Sequence, residues 1–153
     1  MQQPHDHALR KAEALSKERP ADTILSAVDV PVRRAAFSLA RNHAEEAINL
    51  LKSAVPFEQA YPEVAYVRGE AYLRAGHAAD AAAEFRKIID HKGVAWGPRY
   101  PLAYLGQARA AVKLGDTRAA RTAYSALMAL WENADPDIPI VIEARKELAA
   151  LPE

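Results

Sequence analysis

Small and apolar residues recur in three columns down the chain. Ala8, Ala47, Ala81 and Ala120 head the columns; Ala12, Leu51, Phe85 and Tyr124 follow four residues later, and Leu15, Ala54, Ile88 and Leu127 three after that. Offsets of four and seven place the three members of each set on one face of a helix. Successive heads lie 39, 34 and 39 residues apart, and a period near ~34 residues is what stacked helical hairpins produce.

The pattern predicts a first helix over His7–Glu18, stopped by Pro20, and then a short turn or helix over Ala21–Ala27 opened by Asp22 or Thr23. Pro31 suits the first turn of the next helix, where its missing N–H costs nothing, and that helix runs to Arg41. Asn42, with Glu45 three residues on, ends that helix and can cap the next, Ala44–Val55. Tyr61–Ala75 with Ala78–Asp90, and Leu102–Leu114 with Thr117–Trp131, repeat the plan around Gly76 and Gly115. Asn42, Gly76 and Gly115 keep the spacing of the alanine column, so two independent columns agree. Glycines and prolines in His91–Tyr100 mark an inserted loop. After the break Asn133–Pro139, a last helix carries Val141, Ala144, Leu148 and Leu151 on one face, as a terminal cap with a polar outer side.

Composition narrows this to one all-α domain. The chain has 153 residues, half of them hydrophobic and many of those alanine, which favours helix and close helix approach. Acidic and basic residues balance at 20 each, so no overall field draws nucleic acid or anionic lipid. There is no cysteine for a disulfide or a thiolate metal site. No apolar run is long enough for a membrane span, and the N-terminal stretch lacks the apolar centre of a signal peptide. A soluble, cytoplasmic chain is the expectation.

The order Gly69, Tyr72, Gly76, Ala81, Phe85 resembles the tetratricopeptide repeat (TPR). Ala108, Ala111, Gly115, Ala120, Tyr124 and Ala35, Ser38, Asn42, Ala47, Leu51 follow the same order less closely. The resemblance implies a right-handed superhelical array of antiparallel helix hairpins. Residues 1–7 would be a disordered lead-in, 8–20 a half repeat, 28–60, 62–92 and 101–132 full repeats, and 137–151 a capping helix. In such units the small residue at Ala81 lets the two helices touch and the bulky one at Phe85 fills the gap to the next hairpin. The runs Glu18–Leu25 and Ala134–Ile140 resemble the C-terminal repeat regions of bacterial eukaryotic-like serine/threonine kinases and winged-helix regulators. Kinase chemistry itself is missing, for no Gly-rich phosphate loop, strand lysine or catalytic loop occurs. As the tail of a single-span receptor-like kinase, the chain would instead lie outside the cytoplasm.

What the resemblance implies about function is a non-catalytic protein or peptide binder whose ligand lies in a concave groove lined by the first helix of each hairpin. The register gives that groove Val32, Arg33 and Ala36, then Tyr66, Glu70, Leu73 and Arg74, then Leu105, Arg109, Val112 and Lys113. Arg33, Arg74, Arg109 and Lys113 together would suit an acidic or carboxylate-bearing peptide, with Tyr66 as an aromatic anchor. The alternative is a solvated face on which these cations pair with Glu63 and Glu70. The lysine and asparagine used by chaperone-tail binders are replaced here by Val32 and Ala36. Self-association within a larger scaffold, sensor or regulator is the second functional reading.

No cofactor and no metal are expected. His43 and His77 hold one repeat position, with Asp116 in the third unit. Hairpins ~10 Å apart are too distant to share an ion with bonds near ~2 Å, so helix capping is their expected role. His5 and His7 flank Asp6 at a terminus, where adventitious metal is all they would hold. Trp96, near Tyr100, is left open between ligand contact and loop packing, Trp131 is assigned to packing, and Asp137 to capping the last helix.

Overall fold

The computed structural model describes residues 4–93, 97–135 and 137–152; Trp96 and the side chains of His5 and Asp6 lie outside them. Among the described residues all regular structure is helical: α1 Pro4–Glu18, α2 Val30–Ala40, α3 Ala44–Leu50, α4 Pro62–Ala75, α5 Ala78–Asp90, α6 Arg99–Lys113, α7 Thr117–Leu130 and α8 Pro139–Ala149. None of these helices is long and apolar enough to cross a membrane. Each packs chiefly on its neighbours in the chain, and α4 also touches α2 and α6. The pairs α2–α3, α4–α5 and α6–α7 are helical hairpins, α1 lies against α2, and α8 against α7.

The apolar columns are the interior of this series. Ala47, Ala81 and Ala120, then Leu51, Phe85 and Tyr124, then Ala54, Ile88 and Leu127 are all buried. Phe85 of α5 shows why small residues stand opposite. A Cβ added at Gly69 of α4 would meet its ring at 2.8 Å, and one at Gly106 of α6 at 2.3 Å. The ring therefore sits against the bare backbone of two helices and fixes how closely the second and third hairpins approach.

Asn42, Gly76 and Gly115 all adopt positive φ, 62°, 87° and 75°. Behind each, two hydrogen bonds close the preceding helix: His43 N–H to Ser38 C=O, His77 N–H to Tyr72 C=O and Asp116 N–H to Ala111 C=O span five residues. The N–H groups of Asn42, Gly76 and Gly115 reach back three residues to Leu39, Leu73 and Val112. This double closure satisfies carbonyls that the helix end would leave without partners.

Several details differ from the sequence pattern. Ala21–Ala27 is not a separate element: the chain is helical from Thr23 to Ala40, with a π turn at Leu25–Asp29. Val30 N–H donates to Leu25 C=O, five residues back. That wider turn falls where Pro31 has no N–H to give and its ring would crowd the carbonyl of Ala27. Asp22 opens the helix, its carboxylate accepting the Leu25 N–H at 3.0 Å. Ala44–Val55 ends early as an α-helix, tightening into a 3₁₀ stretch over Lys52–Phe57 that carries Pro56.

Asn42 does not cap α3; it holds the left-handed turn, and His43 is the cap residue. Only Asp116 of the three cap positions uses its side chain, taking the Ala119 N–H at 2.9 Å. His43 instead faces Glu46 at 3.3 Å, and His77 reaches back to Glu45 of α3 at 3.1 Å. Asp137 caps nothing: Ile138 is the cap residue of α8, and Asp135 takes the Asp137 N–H. α1 starts at Pro4, so residues 4–7 are its first turn, and α6 starts at Arg99, three residues before the pattern placed it. The outer side of α8 is not wholly polar, since Ile138 and Ile142 are more than a third exposed.

Candidate functional site

A cleft of about 850 Å³ lies between α4, α6 and α8. Four-residue steps on α4 and α6 aim one side chain per turn toward it. α4 supplies Glu70, Leu73 and Arg74, and α6 supplies Arg109, Val112 and Lys113. The turn after α2, Tyr124 of α7 and the end of α8 close it. A smaller hollow of about 270 Å³ continues along α4 toward α2, lined by Tyr66, Ala36 and Leu39, with Glu70 and Arg74 bordering both spaces.

Six residues named from the register, Glu70, Leu73, Arg74, Arg109, Val112 and Lys113, thus share the cleft. Tyr66 stands in the adjoining hollow, its ring edge-on to Phe85 with centroids 6.0 Å apart. Burial, with the nearby Glu70 charge, pushes its hydroxyl up to about 12. Arg33 lines neither hollow and is exposed on α2. Val32 and Leu105 also leave the groove, because both pack into the apolar interior. A lone helix register cannot tell these rows apart; the tilt of each hairpin on the next decides which row faces the hollow.

The row of cations is broken up by local bonds. Arg109 forms a two-pronged pair with Glu147 of α8, Nε to Oε2 at 3.1 Å and Nη2 to Oε1 at 2.8 Å, and reaches Glu143 at 3.0 Å. The Tyr124 hydroxyl donates to Glu147 at 2.6 Å. Burial alone would raise the Glu147 carboxyl, but the hydrogen bonds from Arg109 and Tyr124 outweigh it and hold it below its ordinary value. Arg74 donates to the Leu39 carbonyl at 2.8 Å, tying α4 to the end of α2. Lys113 is exposed at the rim.

Glu70 is the odd member. Among the described residues no hydrogen bond or ion pair reaches its carboxylate, neither from Arg74 one turn on nor from Arg109 across the cleft. Burial raises it above its ordinary value, against the field of Arg74 and Arg109. Among the described residues the expected pairing of these cations with Glu63 and Glu70 does not form, while Arg33 and Lys113 are solvent-exposed.

A second polar cluster lies where no spacing along the chain points. Arg68 of α4, almost wholly buried, donates to Glu84 of α5 at 2.6 Å and to Glu58, and Lys87 bonds Glu58 at 2.9 Å and Glu84 at 3.1 Å. Burial opposes the charged form of Arg68, yet its two carboxylate partners hold it above its ordinary value. Bridging three segments, the cluster is a structural clamp. The Arg68–Glu58 and Arg68–Glu84 pairs are separated by 10 and 16 residues, so no helical spacing announces them.

Among the described residues no three His, Cys, Asp or Glu side chains gather to hold a metal ion. No protein-family model, curated protein or solved structure matches the chain.

Proposed function

We propose that the protein is a non-catalytic peptide-binding module in which the three hairpins form a TPR-like right-handed superhelical array and the cleft between α4, α6 and α8 receives the ligand. The observation that carries this is the cleft itself: about 850 Å³, walled by successive hairpins, and mixing exposed apolar Val112 with Glu70, Arg74 and Lys113. Such a mixture of apolar wall and a few converging polar groups is the usual make-up of a recognition site. A catalytic reading has less support, because Glu147 is engaged by Arg109 and Tyr124 and Glu70 has no partner to orient it as an acid or base.

The test is binding of peptides selected from a displayed random library, measured by fluorescence anisotropy on wild type and on Val112→Glu, which places a charge on the apolar wall. Loss of binding in Val112→Glu with an unchanged helical spectrum supports the cleft. Binding that survives this change and is instead lost on mutation of Arg86 or Tyr104, in the hollow between α5, α6 and α7, overturns it.

Self-association within a larger scaffold or regulator is the second reading, favoured by the outward exposure of Ile138 and Ile142 one turn apart. Light scattering over a concentration series on wild type and Ile142→Lys separates the two: a dimer abolished by the change supports it, and a monomer throughout rejects it.

A further inference from the structure

Resting on the reading of the cleft as a peptide site, we infer that it selects a segment carrying a single lysine or arginine, whose side chain pairs with Glu70, next to an apolar residue seated against Leu73 and Val112. Glu70 stands on the wall common to the cleft and the smaller hollow beside Tyr66. The two nearby guanidinium groups spend their hydrogen bonds elsewhere, although the field of each still reaches Glu70. Arg74, at the i+4 position, is drawn off to the Leu39 carbonyl at 2.8 Å, and Arg109 to Glu147 at 2.8 Å and Glu143 at 3.0 Å. A half-buried carboxylate left without a partner is unfavourable, and a ligand cation would relieve that cost with a charge-assisted hydrogen bond.

The surroundings fit the rest of a basic side chain. Long cationic side chains lay their methylenes along apolar surface and keep the head polar. Leu73 and Val112 flank Glu70 in the cleft, and Tyr66 lies one turn before it on α4, in the adjoining hollow. Arg74, Arg109 and Lys113 ring the same space, so a run of basic residues would be repelled. One basic residue bracketed by apolar ones is what Glu70, set among these cations, would admit.

The probe is a displayed library of random twelve-residue peptides, selected against the whole chain as wild type, as Glu70→Gln, and as Glu46→Gln on α3 as the control. The selected wild-type pool is expected to share one Lys or Arg beside an apolar residue. Replacing that residue by norleucine in a synthetic peptide should weaken binding about tenfold or more, as should Glu70→Gln, with little further loss when the two are combined. Glu46→Gln should bind like wild type. A pool rich in Asp and Glu without a basic position, or unchanged affinity in Glu70→Gln, overturns the inference while leaving the cleft as the peptide site. A wild-type chain that selects no peptide removes the peptide reading and this inference with it.

Discussion

One ring between two glycines sets the spacing of the second and third hairpins. Adding a methyl at Gly106 puts carbon 2.3 Å from the Phe85 ring, and forced overpacking of this kind costs about 1–3 kcal/mol. Gly106→Ala should therefore lower the urea midpoint despite alanine's better helix propensity, and Phe85→Leu in the same chain should recover part of the loss. Equal stability of Gly106→Ala and wild type would show that the contact is slack. Gly69 and Phe85 were visible in the sequence as members of one repeat; Gly106 was not, because its partner lies in the preceding unit. The same holds for Arg68, whose carboxylates come from Glu58 and Glu84. Arg68→Ala leaves buried Glu84 and half-buried Glu58 with Lys87 as the remaining cation and should cost about 3 kcal/mol, the low end for a broken buried pair, in a denaturant titration. Glu70 acts in the opposite sense. Its folded value is raised, so the stability it contributes is present at low pH and lost as pH rises through that value. Glu70→Gln should consequently be as stable as wild type or more so at neutral pH, which keeps its binding test free of unfolding.

Turns were the most legible elements. Asn42, Gly76 and Gly115 end their helices in the left-handed conformation because only glycine, and to a lesser degree asparagine, adopts it cheaply. Gly76→Ala, with open space around the added methyl, should cost about 1–2 kcal/mol from backbone strain alone, read as a lower thermal midpoint. The π turn before Pro31 was illegible, since the pattern marks where a proline interrupts hydrogen bonding but not how the chain reroutes it. α8 was legible by its apolar face and illegible by its polar anchors. Glu147 ties it to Arg109 and Tyr124, and Arg121 donates to the Leu151 carbonyl at 2.9 Å. With the Glu147 carboxyl held below its ordinary 4.5, the stability it gives is present above that pH and lost as pH falls through its folded value. Amide protection in α8, corrected for the intrinsic slowing of exchange in acid, should fall on acidification below pH 4.5 before protection in α5 does. In Glu147→Gln the exchange should be fast already at neutral pH; slow exchange there would show that α8 is held by Val141 and Ala144 alone.

At the scale of the whole molecule, a serial packing of hairpins on a chain of zero formal net charge leaves the proposed recognition to local geometry. The place of the cleft was legible because the register put Glu70, Leu73, Arg74, Arg109, Val112 and Lys113 on the first helices of their hairpins, and these line one hollow. Its chemistry was not, because whether an arginine is free depends on neighbours far along the chain: Leu39 for Arg74, Glu147 for Arg109. Arg33 was misplaced for the related reason that the tilt of α2 on α4 is a tertiary quantity. Hydrogen–deuterium exchange on the whole chain, with and without a peptide selected from the displayed library, tests most directly whether the cleft is the binding surface. Slowed exchange should fall on α4 around Glu70–Arg74, on α6 around Arg109–Lys113 and on the end of α8. Slowing confined to α1, or to the hollow lined by Arg86, Tyr104 and Arg118, would contradict it.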